Sequence, residues 1–111
     1  MNDRARRIGR NEAVFREINE QVEGVNRHLA ELSDDRMHVV CECGDLACIE
    51  RIVVPVAKYE EIRADATLFV VKPGHDKPEL EDVVEHAAGY DVVRKQSGEV
   101  QRIAEQTDPR F

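Results

Sequence analysis

The chain has 111 residues and a mass of 12.7 kDa, the size of one domain, since two cores could not each bury enough apolar surface at this length. Hydrophobic residues make up 41% and charged residues 35%, with no Trp, so a lean core is expected and the disordered class is excluded. A net charge of -7 repels phosphate backbones, no apolar run approaches the about 20 residues of a membrane helix, and no secretory stretch opens the chain, so a soluble, cytoplasmic protein is expected.

Residues 1–10 set Arg4, Arg6, Arg7 and Arg10 against Asp3 and read as a basic, flexible arm. Such an arm can contact RNA, an acidic protein surface or the chain's own acidic body, or stay a solvated, frayed terminus. From Asn11 to Leu32 the residues Phe15, Ile18, Val22, Val25, Leu29 and Leu32 recur at steps of three and four, which predicts a long amphipathic helix. Its outer face is expected to carry Glu12, Arg16, Glu17, Glu20, Glu23 and Arg27, with pairs Glu12 to Arg16 and Glu23 to Arg27. Ser33, Asp34 and Asp35 would end it.

His38–Cys43 and Cys48–Val54 read as the two strands of a hairpin turning at Gly44-Asp45. Pro55 suits the first turn of a short helix with Val56, Tyr59 and Ile62 on its apolar side, ending near Ala64. Leu68–Lys72 is a third strand stopped by Pro73-Gly74. Asp76, with Glu79 three residues on, predicts a capped helix burying Leu80, Val83 and Val84. A fourth strand over Tyr90–Lys95 and a last helix with Val100, Ile103 and Ala104 follow. Residues 107–111 read as a loose tail. The sum is an α+β domain, a small, largely antiparallel sheet covered by helices.

The three cysteines carry the chemistry. All fall within eight residues, an odd count that argues against a disulfide framework and for thiolates acting together. Cys41 and Cys43 share a strand face, Gly44 permits a positive φ that curls the chain, and Cys48 starts the returning strand, so three sulfurs converge on one side of the hairpin. Thiolates held so close repel one another unless a cation lies between them. Zinc takes four tetrahedral N or S ligands, and His75, in the tight Pro73-Gly74-His75 loop, is the choice for the fourth. His38 has the wrong strand parity, His86 falls near a helix end and His28 on the amphipathic helix; Asp45, Glu50 or a water remain as other occupants of that position. Residues 11–106 thus read as a single zinc-stapled domain.

The runs CECGDLACIERI, YEEIRADATLFVVKPGH and GYDVV resemble a family of short actinobacterial proteins that share a C-x-C-G-x3-C segment and a downstream P-G-H. The likeness covers Asn11 to Arg110 and implies no activity; it implies only that Cys41, Cys43, Cys48 and His75 match the shared pattern.

A closed Cys3His set is structural, and neither a phosphate-binding glycine loop nor an H-E-x-x-H is present, so no catalytic constellation is predicted. The expected function is a zinc-binding, non-enzymatic interaction or regulatory module. Its partner would be a protein met through the amphipathic helix or the acidic surface, or a second copy in a homodimer. Two alternatives use the same residues: a redox- or metal-responsive protein holding an iron–sulfur cluster or releasable zinc, and a zinc hydrolase with water in the fourth position.

Overall fold

The computed structural model describes residues 3–29, 36–48 and 50–110, with the side chains of 23–29 outside that description. Its elements run α1 (Asp3–Leu29), β1 (Arg36–Val40), β2 (Arg51–Pro55), α2 (Val56–Arg63), β3 (Leu68–Val71), β4 (Glu81–Ala87), β5 (Tyr90–Lys95) and α3 (Glu99–Gln106). The α+β class holds, but the strands form two small antiparallel sheets instead of one. β1 pairs with β2, and β5 lies between β3 and β4.

Strict alternation builds the first sheet. Met37 faces Val54 and Val39 faces Ile52 across the ladder, and all four are buried, while Arg36, His38, Arg51 and Val53 point outward. In the second sheet the central strand β5 has a neighbour on each side and is buried at Tyr90, Asp91, Val92, Val93 and Lys95. Phe69, Val70 and Val71 of β3 join it. Both sheets share one core with Tyr59 and Ile62 of α2, Ala104 of α3, and the side chains of Cys41 and Cys43.

Helix α1 departs from expectation in its start and in its buried face. It begins at Asp3, so most of the segment read as an arm forms its first turns, with Ala5 and Ile8 buried against Leu80 and Val100. Arg4 pairs with Glu79 at 2.7 Å and Arg6 with Glu99 at 2.9 Å, so these basic residues meet the chain's own acidic side chains. Glu12 and Arg16, expected on the solvent face, are each 1% exposed, whereas Val14 is 57% and Ile18 41% exposed. The buried row is Ile8, Glu12, Arg16 and Asn19, and its polar members are inside because each meets a buried partner. Glu12 takes Lys95 at 2.5 Å; Arg16 donates to the carbonyls of Ala66 and Ala104 and to Thr107 Oγ1. The positions Val25, Leu29 and Leu32, the pair Glu23 with Arg27, His28, and the stop at Ser33–Asp35 lie outside what is described.

The helix expected after Asp76 is instead a turn followed by strand β4. Leu80 and Glu81 both donate their N–H to the Lys77 carbonyl, after which Glu81–Ala87 pairs antiparallel with β5 through an Ala88-Gly89 turn. Tertiary pairing overrides local propensity here, because the register lays Glu81 opposite Lys95, and the two bond at 2.6 Å in the core. A bulge between Val83 and Glu85 leaves Val84 exposed. Near the other end of the chain, Arg110 bonds Glu20 at 2.5 Å and Glu60 at 2.6 Å, fastening the segment read as a loose tail to α1 and α2.

Candidate metal centre

The connection between β1 and β2 carries all three cysteines. The expected strands are shorter than drawn, since β1 stops at Val40 and β2 starts at Arg51, so the sulfurs stand on the loop and not on the strands themselves. One ladder step survives beyond β1, from Cys41 N–H to the Glu50 carbonyl at 3.2 Å. The chain then leaves β2 for β3, with Glu42 N–H bonding the Val70 carbonyl at 2.9 Å. Asn19 of α1 takes both backbone polar groups of Val40, on the edge of β1 away from β2.

Gly44 makes the curl with φ +80°. A Cβ there would stand 2.9 Å from Glu12 Cγ and 3.0 Å from the Ile8 carbonyl oxygen, so the loop reaches α1 only because this residue has no side chain. Asn11 Nδ2 donates to the Gly44 carbonyl at 3.0 Å, and the Lys77 ammonium donates to that of Cys43. On the far side, Lys72-Pro73-Gly74-His75 closes a turn with His75 N–H on the Lys72 carbonyl at 2.9 Å. Pro at the second place and Gly74 at φ +86° in the third are the residues that such a turn requires, and they aim the imidazole back at the loop.

These two turns bring Cys41, Cys43, Cys48 and His75 together. Their ligand atoms all lie within 4.8 Å of one another, an arrangement that could hold a metal ion. His75 Nδ1 is 3.6 Å from Cys41 Sγ and 3.6 Å from Cys48 Sγ. Of the other candidates for the fourth position, His86 instead bonds Asp91 at 2.9 Å on the β4–β5 pair, and His38 faces out from β1. Cys41 and Cys43 are buried, Cys48 and His75 partly so, and a surface hollow lined by Cys43, Asp45, Gly74, His75, Asp76 and Lys77 opens the group to solvent.

Backbone donors converge on the sulfurs. Lys72 N–H reaches Cys41 Sγ at 3.2 Å, and the N–H groups of Asp45 and Glu50, each two residues on, bond Cys43 and Cys48. Such donors favour thiolate over thiol. The Cys43 thiol is brought down to about 4, chiefly by a hydrogen bond from Cys41 and further by the Asp45 N–H. That same bond, with burial, drives the Cys41 thiol far up, and burial raises Cys48.

Spacing in the sequence pointed to the four side chains but not to what supports them. Asn11, Asn19 and Lys77 act on this loop from 21 to 34 residues away, and Glu42 within it meets partners 21 to 28 residues away; no local pattern marks a long-range hydrogen bond. No helix among the described residues is long and apolar enough to cross a membrane. No family model, no curated protein and no solved structure matches the chain.

Proposed function

We propose that the chain is a small zinc protein whose Cys41, Cys43, Cys48 and His75 form a structural Cys3His site, and that it works as a non-enzymatic interaction or regulatory module. The observation that carries the reading is the pair of equal 3.6 Å separations from His75 Nδ1 to two sulfurs. Zinc–sulfur bonds of about 2.3 Å and zinc–nitrogen bonds of about 2.0–2.1 Å meeting at a tetrahedral angle put S and N about 3.6 Å apart. A neutral imidazole has one acceptor lone pair, which cannot serve two thiols at once but can serve one ion equidistant from both.

Four protein ligands leave no position for water, which favours a structural over a hydrolytic ion. An iron–sulfur cluster spreads its ligands over more than one iron, so ligand atoms all within 4.8 Å favour a single ion. Zinc held in this way would supplement a lean core. The partner is then a protein, met through the exposed Val14 and Ile18 of α1 or through the acidic surface of a chain of net charge -7. Native mass spectrometry of the untagged, full chain tests the reading: one zinc per chain is expected, and purified protein free of metal would overturn it.

A further inference from the structure

Cys41 and Cys43 flank a glutamate with 0% of its surface exposed. A buried carboxylate costs several kcal/mol unless it is paired and hydrogen-bonded, and Glu42 is held from three elements at once. Asn19 Nδ2 of α1 donates to Oε2 at 2.7 Å, Arg63 Nη2 of α2 to Oε1 at 3.2 Å, and the Val70 N–H of β3 to Oε1 at 3.0 Å. Its own N–H returns to the Val70 carbonyl at 2.9 Å, making a closed pair with β3. Fixing the middle residue of a tripeptide by both side chain and N–H fixes the backbone dihedrals on which the two flanking Cα–Cβ directions depend. None of the clamp's hydrogen bonds ends on a sulfur, so their hold on the quartet passes through the backbone.

We infer that Glu42 is a positioning residue of the metal centre, its clamped carboxylate holding Cys41 and Cys43 in the ion-receiving arrangement before the ion arrives. The inference rests on reading the quartet as a metal site. Preorganisation of this kind removes ordering that binding would otherwise have to supply, so affinity depends on Glu42 although the ligand set does not include it. Residues that orient metal ligands typically change affinity by about 10–100-fold when replaced.

The test is Co2+ binding to the metal-free full chain, followed by its visible d–d absorption under competition with a chelator, alongside thermal melting of the metal-free proteins. Glu42→Gln keeps the size of the side chain but only one acceptor oxygen, so either Asn19 or the Val70 N–H loses its acceptor, and it removes the charge that Arg63 balances. It is expected to give a tetrahedral Co2+ spectrum at about 10–100-fold weaker affinity, with Arg4→Ala, which removes an exposed pair on α1, binding as the wild type does. An affinity within about twofold of wild type, whatever the melting temperature, would make Glu42 a core residue and no more. Should Glu42→Gln fail to fold, Arg63→Lys is measured against the same threshold. Wild-type protein that takes up no Co2+ would overturn the metal reading itself, an outcome distinct from either.

Discussion

Asn19 holds Val40 by both of its backbone polar groups: Oδ1 accepts from the N–H at 2.8 Å, and Nδ2 donates to the carbonyl at 2.8 Å. The same Nδ2 also reaches Glu42 Oε2. One side chain on α1 thus satisfies the edge of β1 turned away from β2, just where the chain enters the cysteine loop. Asn19→Ala strands one buried and two partly buried polar groups, and the expected loss is on the order of 2–4 kcal/mol, read as a fall in the urea midpoint. A loss below 1 kcal/mol would mean that water replaces the amide.

With the quartet holding zinc as proposed, removal of the ion should loosen the whole domain. Chelation of the zinc-loaded chain is expected to lower the melting temperature by at least about 10 °C, given that each kcal/mol is worth about 4–8 °C in a domain near this size. Cys43→Ser and Cys48→Ser should each destabilise the loaded protein to a similar extent, and His75→Ala should as well. A His75→Ala protein that melts with the wild type, still carrying zinc, would show an open site in which the imidazole is not a ligand.

Gly44 and Gly74 both have positive φ, but they differ in surroundings. A methyl group at Gly44 meets Glu12 Cγ and the Ile8 carbonyl, whereas one at Gly74 meets nothing within 4 Å. Gly44→Ala is therefore expected to cost about 2–4 kcal/mol and Gly74→Ala about 1–2 kcal/mol, the conformational penalty alone. Equal urea midpoints for the two variants would contradict the close approach of the loop to α1.

The cluster Glu12, Lys95 and Glu81 places one cation between two carboxylates in the core. Burial, opposed by Lys95 and reinforced by Glu81, raises the Glu12 carboxyl from its ordinary 4.5 to about 8. Above pH 4.5 the unfolded chain has lost this proton while the folded chain keeps it up to about 8, so unfolding releases a proton. Stability contributed by the protonated form declines as pH rises through that window. Glu12→Gln cannot ionise, so its stability should match that of wild type below about pH 4.5 and exceed it by a margin that grows up to about pH 8, read as melting temperatures of the two proteins across that range. Parallel curves for the two proteins would show that Glu12 is already charged at pH 6.

Much of this fold was readable from the chain: the hairpin, α2, β3, β5, α3 and the convergence of Cys41, Cys43, Cys48 and His75 follow from spacing and turn chemistry over a few residues. The misread parts share one cause. Glu12 and Arg16 look like solvent residues because their partners, Lys95 and the Ala104 carbonyl, are 83 and 88 residues distant. Asp76 and Glu79 resemble a helix start, and only the ladder with β5 makes the following residues a strand. The positions of Asn11, Asn19 and Glu42 are silent for the same reason, since a polar residue on a helix or between two cysteines declares no partner.

Asn11 and Asn19 seize the two flanks of the cysteine segment, at Gly44 and at Val40. Eight helical residues advance about 12 Å, and the four peptide units from Val40 to Gly44 reach about 13 Å when extended, so the helix serves as a ruler laid antiparallel to the loop. Adding or deleting a single residue between the two asparagines would turn one of them about 100° around the axis and release its end. A change of length is thus expected to be poorly tolerated in a stretch of α1 that contributes no side chain to the quartet.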